Sequence, residues 1–188
     1  MKSEPHIDGP DDENESFAIE TLTRGALTPD WLTKGPGDDA AILKNGLVIT
    51  VDAMVEGVHF DQSSTPEQVG RKLVAVNVSD IAACGGTPIW AVLTICVPNP
   101  FDREWISRFS DGLNEALKEH NVALVGGDTT RSAGGVTLSL TVGGQHNGMP
   151  ILRAGASPNQ TIWVSGNLGD ASGGFNMPNA PEPLTRAH

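Results

Sequence analysis

Positive charge is scarce in this chain. Twelve Lys and Arg stand against 23 Asp and Glu, a formal net charge of -11 over 188 residues. Nucleic acid and anionic membrane surfaces are therefore excluded as ordinary partners, because both call for a basic face. No apolar run approaches the roughly 20 residues that cross a bilayer. Seven of the 23 acidic residues lie in the first twenty positions, which lack the apolar core of a signal peptide. The two cysteines, Cys84 and Cys96, have no CxxC spacing and lie in apolar surroundings. They are expected to be reduced core residues of a cytoplasmic protein. The five histidines form no HxxxH or HExxH pair, which argues against zinc. Neither GxxxxGK nor GxGxxG occurs, and no internal repeat is present, so any nucleotide would rely on metal bridging rather than a P-loop.

What the chain does have is aspartate beside bared backbone. Four short stretches carry it: Gly37-Asp38-Asp39, Thr50-Val51-Asp52, Asn77-Val78-Ser79-Asp80 and Gly126-Gly127-Asp128-Thr129-Thr130-Arg131. Each follows or adjoins an apolar run, so the carboxylates are expected at element ends. Hard oxygen donors without histidine or thiolate partners suit magnesium, and magnesium suits phosphates. Taken singly, an aspartate after glycine is most often a turn or a helix cap. Asp80 resists that reading, because it falls within a helical stripe where a buried carboxylate needs a partner. Asp128 resists it too: two preceding glycines allow close approach to the backbone, and Thr129, Thr130 and Arg131 add hydroxyls and a positive charge.

The pattern predicts an α+β arrangement, a mixed sheet with helices on one face. Phe17, Ile19, Leu22 and Leu27 mark a short helix, followed by a loop over Thr33–Gly37. Two β-prone runs flank Lys44-Asn45-Gly46 and predict a hairpin. Thr65-Pro66 opens a long helix reaching Gly85-Gly86, and Phe101-Asp102 opens another through to His120. Strands are expected at Ile89–Val97, Asn121–Val125, Val136–Val142 (closed by Gly143-Gly144) and Thr161–Ser165. Residues 1–16 read as a disordered acidic tail, 17–166 as the domain, 167–174 as the start of a second domain that is cut short, and 175–188 as an unstructured polar tail.

The series GDDAA, TVDAMVEGVHF, KLVAVNVSDIAACGGTP, LVGGDTTR, LRAGA and SGNLGDASGG runs in that order from about Gly35 to Gly174. It resembles thiamine-monophosphate kinase, within the wider group of aminoimidazole ribonucleotide synthetase-related (PurM-like) proteins. The resemblance implies ATP-dependent phosphorylation of thiamine monophosphate to thiamine diphosphate, with several magnesium ions bridging phosphates. It implies Asp39, Thr50, Asp52, Asp80 and Asp128 as magnesium ligands. Gly127, Asp128 and Arg153 would border the nucleotide, and His59 would meet the thiamine phosphate. It also implies a PurM-like amino-terminal domain whose sheets close into a barrel across a homodimer. Val51 stands where the family commonly carries a hydroxyl, Asn159-Gln160 replaces a usual Gly-Asp, and the family's second domain is not represented beyond the Asp170 segment. A related reading keeps the domain as an inactive remnant that dimerises or binds magnesium-nucleotide. Another gives the fold a different ATP-dependent substrate, against which the VEGVHF segment argues.

Overall fold

A computed structural model describes residues 12–164, 166–170 and 173. Helices α1 (Asp12–Thr23), α2 (Pro66–Ala83) and α3 (Arg103–Glu119) alternate with strands β1 (Leu32–Lys34), β2 (Ala41–Leu43), β3 (Leu47–Val55), β4 (Gly86–Val97), β5 (Ala123–Arg131) and β6 (Thr137–His146). The strands form one mixed sheet in the order β1-β2-β3-β6-β4-β5. Every adjacent pair is antiparallel except β4–β5, the pair joined through α3 as a parallel crossover. The expected α+β class is thus the observed one. No described helix is long and apolar enough to cross a membrane.

The two long helices begin where side chains satisfy their open backbone donors. At α2, Thr65 accepts the Gln68 N–H while the Gln68 side chain accepts the Thr65 N–H, a reciprocal capping box with Pro66 in the first turn. At α3, Asp102 accepts from the N–H groups of Glu104 and Trp105. Helix α2 lies against β3, β4 and β6, and α3 lies mainly against α2. Strand alternation matches this layering. Val48, Met54, Ala91, Ile95, Leu138, Leu140 and Val142 are buried toward the helices with Val69, Leu73, Ile81, Phe109 and Leu113. The helices cross closely because Gly70 and Gly112 lack side chains. A Cβ on Gly112 would drive into the Glu67 carbonyl, and one on Gly70 into the α3 backbone at Phe109 and Leu113.

Several boundaries differ from the sequence reading. Helix α1 begins at Asp12, inside the stretch read as a tail, and its side chains described from Asn14 onward are mostly exposed. The Thr33–Gly37 loop is partly strand, since Thr33 and Lys34 belong to β1. Gly143 and Gly144 do not close β6 but lie within it: the Trp90 indole fills the space over Gly143, and the Thr87 carbonyl crowds Gly144. Residues 161–164 form no strand, Ser165 lies outside the described residues, and so does the whole tail 175–188.

Candidate functional site

Strand alternation sets the first two groups. Thr50 and Asp52, two residues apart on β3, share the face that looks toward α2. Helix α2 brings Asp80 to them in its last turns, and the bend before β2 brings Asp39. The Thr50 hydroxyl lies 2.9 Å from Asp80 Oδ2 and 3.1 Å from the Asp39 carbonyl oxygen. It carries one proton, so it serves one acceptor at a time. Asp80 therefore has the partner that its helical position demanded.

Asn77 fixes the spacing between β3 and α2. Its side chain is fully buried; Oδ1 accepts the Asp52 N–H at 3.0 Å, and Nδ2 donates to the Leu73 carbonyl at 2.9 Å. Sequence reasoning assigned it no role, although an amide inside the apolar helix run KLVAVNVSD was the available signal. Asp52 is held near Asp80 with little counter-charge. Burial, then the neighbouring Asp80 carboxylate, push its pKa above the ordinary 3.8, and His59 only partly offsets them.

His59 sits in the turn after β3. Its Nδ1 accepts the Val55 N–H at 3.1 Å, which leaves the proton of the neutral ring on Nε2. Lys72 Nζ donates to the His59 carbonyl at 2.9 Å and ties the turn to α2. Arg153 reaches Asp39, its Nε 2.9 Å from Oδ1 and its Nη2 on the same oxygen, while its main-chain N–H faces the Asp38 carboxylate at 3.3 Å.

Gly127 and Asp128 stand apart from this group. They lie within β5, not in a loop after it, and β5 is the far edge of the sheet. Three strand spacings separate β5 from β3, about 14 Å. Asp128 registers with Thr94, and Asp52 with Leu140 opposite Leu93. The expectation that all four carboxylate stretches lie at element ends is likewise corrected, because Asp52 and Asp128 are both inside strands. Asp170, in the following compact unit, accepts from Asn167 Nδ2 at 3.1 Å.

Among the described residues, no three His, Cys, Asp or Glu side chains converge closely enough to hold a metal by themselves. The donor chemistry nevertheless fits magnesium: carboxylates and a hydroxyl, with Asp52 and Asp80 repelling each other where a divalent cation would relieve both.

Residues 37–146 match the family described as AIR synthase related protein, N-terminal domain, and the chain belongs to that family. Relatives over this stretch are named thiamine-monophosphate kinase, in keeping with the motifs. The protein of that name from Buchnera aphidicola (subsp. Acyrthosiphon pisum) is 41% identical over 146 residues, 76% of this chain and 45% of the relative. That from Bacillus subtilis is 36% identical over 170 residues, 87% of this chain and 52% of the relative. Among solved structures, AaThiL complexed with AMPPCP and TMP aligns with a TM-score of 0.75 at 31% identity, covering 88% of this chain and 51% of that one. The chain thus spans about half the length of the curated relatives it matches.

Proposed function

We propose that this chain supplies the amino-terminal domain's share of a thiamine-monophosphate kinase site, which transfers the γ-phosphoryl group of ATP to thiamine monophosphate and yields thiamine diphosphate and ADP. The observation that carries the reading is the gathering of Asp39, Thr50, Asp52 and Asp80 beside the His59 turn. It lies within a segment whose relatives bear that name and whose structural counterpart holds AMPPCP and TMP. The acceptor oxygen is already an anion, so no strong general base is needed. The work is to align two phosphates and to offset their repulsion.

In this reading Asp39, Thr50, Asp52 and Asp80 would hold magnesium, which supplies charge screening when bound. Arg153 contacts the nucleotide phosphates and His59 meets the substrate phosphate. Gly127 and Asp128, about 14 Å away across the sheet, would serve a different ion or a different end of the nucleotide from Asp52. The protein would work in the cytoplasm as a homodimer.

The exposure of β5 along its whole length favours a narrower reading for the 188-residue chain by itself: magnesium-nucleotide binding with little turnover. Misplacement of a reacting phosphate by about 1 Å can cost on the order of a hundredfold in rate, and Asp128 lies exposed on the edge strand. The test is thiamine diphosphate formation from ATP and thiamine monophosphate, with Asp128→Asn as the control. Little or no product is expected from the chain alone. Robust turnover abolished by Asp128→Asn would overturn the narrower reading and support the kinase. Robust turnover indifferent to Asp128→Asn would remove that residue from the site.

A further inference from the structure

Resting on the kinase reading above, we propose that Asp38 and Asp39 divide the handling of Arg153. Asp38 roots its main chain, and Asp39 holds its guanidinium as a stand-in cation, which magnesium displaces onto the nucleotide phosphates.

The root is buried. The Asp38 side chain is 1% exposed and lies 3.9 Å from Lys34 Nζ. Its carboxylate accepts the Asp39 N–H at 3.1 Å and faces the Arg153 N–H at 3.3 Å from both oxygens. None of these contacts uses the guanidinium, so Arg153 keeps its place when its side chain swings.

The outer contact is built to be exchanged. The Arg153 side chain is 65% exposed, and both of its donors fall on the one oxygen Asp39 Oδ1. The stronger arrangement spreads an arginine fork over two oxygens, as a phosphate would allow. Asp38 and Asp80 also act on the guanidinium, which therefore offsets the charge of the carboxylate cluster. A divalent ion arriving at Asp39 competes for the same carboxylate and repels the guanidinium. A phosphate bound at the same time gives Arg153 its new partner. Metal and nucleotide are thereby coupled through one side chain.

The coupling predicts effects of opposite sign, which a purely structural role for Arg153 would not produce. Calorimetric titrations of the 188-residue chain with magnesium chloride alone, and with AMPPCP, would compare the wild type with three variants. Arg153→Gln is expected to bind magnesium roughly twofold to fivefold more tightly, the range for losing one exposed ion pair, and AMPPCP more weakly. The magnesium gap should shrink in about 0.5 M salt. Arg153→Lys, which keeps the charge, should stay near the wild type for magnesium. Asp38→Asn should weaken AMPPCP binding without tightening magnesium. Equal or weaker magnesium binding by Arg153→Gln would overturn the exchange while leaving the metal site standing. Tighter magnesium binding by Asp38→Asn would overturn the division of roles. No magnesium binding by any chain would overturn the metal site and the exchange with it.

Discussion

Asp52 carries the clearest conflict between stability and function at the residue scale. Its main chain is pinned by the buried Asn77 amide, which keeps the residue beside Asp80. A carboxyl with a raised folded-state pKa binds its proton more tightly in the folded chain. Its stabilising contribution is full below 3.8, the ordinary value, and is lost as pH rises through the raised folded value. Near neutrality, without a cation, the ionised group is a burden. Asp52→Asn removes that burden and should raise Tm in the absence of magnesium by on the order of a few degrees. The same variant should lose most of the Tm increment that millimolar magnesium gives the wild type. Thermal melts with and without the ion test both halves. A variant that melts lower than the wild type in metal-free buffer would count against the repulsion, and an intact magnesium increment would count against Asp52 as a ligand. Of these residues, Asp39, Asp52 and Asp80 were legible in the sequence as hard oxygen donors beside bared backbone, and Thr50 only through the family resemblance. Asn77 was not, because its value lies in an N–H 25 positions away that only the packing of α2 on β3 reveals.

At the scale of elements, the α2–α3 crossing holds the helical layer together. Arg71 pairs with Glu115 and Glu119, and Arg108 with Glu67, but these pairs are largely solvated and contribute little. The tight approach at Gly70 and Gly112 matters more, because it lets the apolar faces of both helices close. Gly112→Ala gains about 1 kcal/mol of helix propensity yet forces a methyl group into the Glu67 carbonyl. Overpacking of this kind typically costs about 1–3 kcal/mol, and here the obstacle is backbone that cannot turn aside. A net loss of roughly 1–2 kcal/mol is expected in urea unfolding. A stabilised variant would show that the helices can separate freely. The starts of α2 and α3 were readable because Thr65, Pro66 and Asp102 act locally, as does the Lys44–Gly46 hairpin. The extent of β5 was not. Its continuation through Gly126-Gly127-Asp128 comes from the ladder to β4, where Thr94 to Val97 align with Asp128 to Arg131, and a partner strand leaves no mark on local composition. Gly143 misled for a similar reason: a glycine pair reads as a strand end until Trp90 is seen lying over it.

For the whole molecule, among the described residues, α2 packs on one face of the sheet and no helix packs on the other. Alternation from the buried positions puts Ile49, Val51 and Val55 of β3 and Trp90, Val92 and Cys96 of β4 on the uncovered side, with Val51 60% exposed. Apolar residues gathered on an open sheet face are a liability unless another surface closes over them. A second copy of the chain, sheet against sheet, is the homodimer proposed above. A specific interface of this kind buries about 1,200–2,000 Å² in total, which a face of this strand number can supply. Sedimentation at micromolar concentration should therefore return a dimer. Val51→Glu puts a charge at a position that costs the isolated chain little, because it is already exposed, yet would be desolvated in the dimer. It should shift the chain to monomer with its fold intact by circular dichroism. A monomeric wild type would sink the dimer. A dimer that survives Val51→Glu would assign association to another surface, and the apolar residues of the open face would then need a different cover.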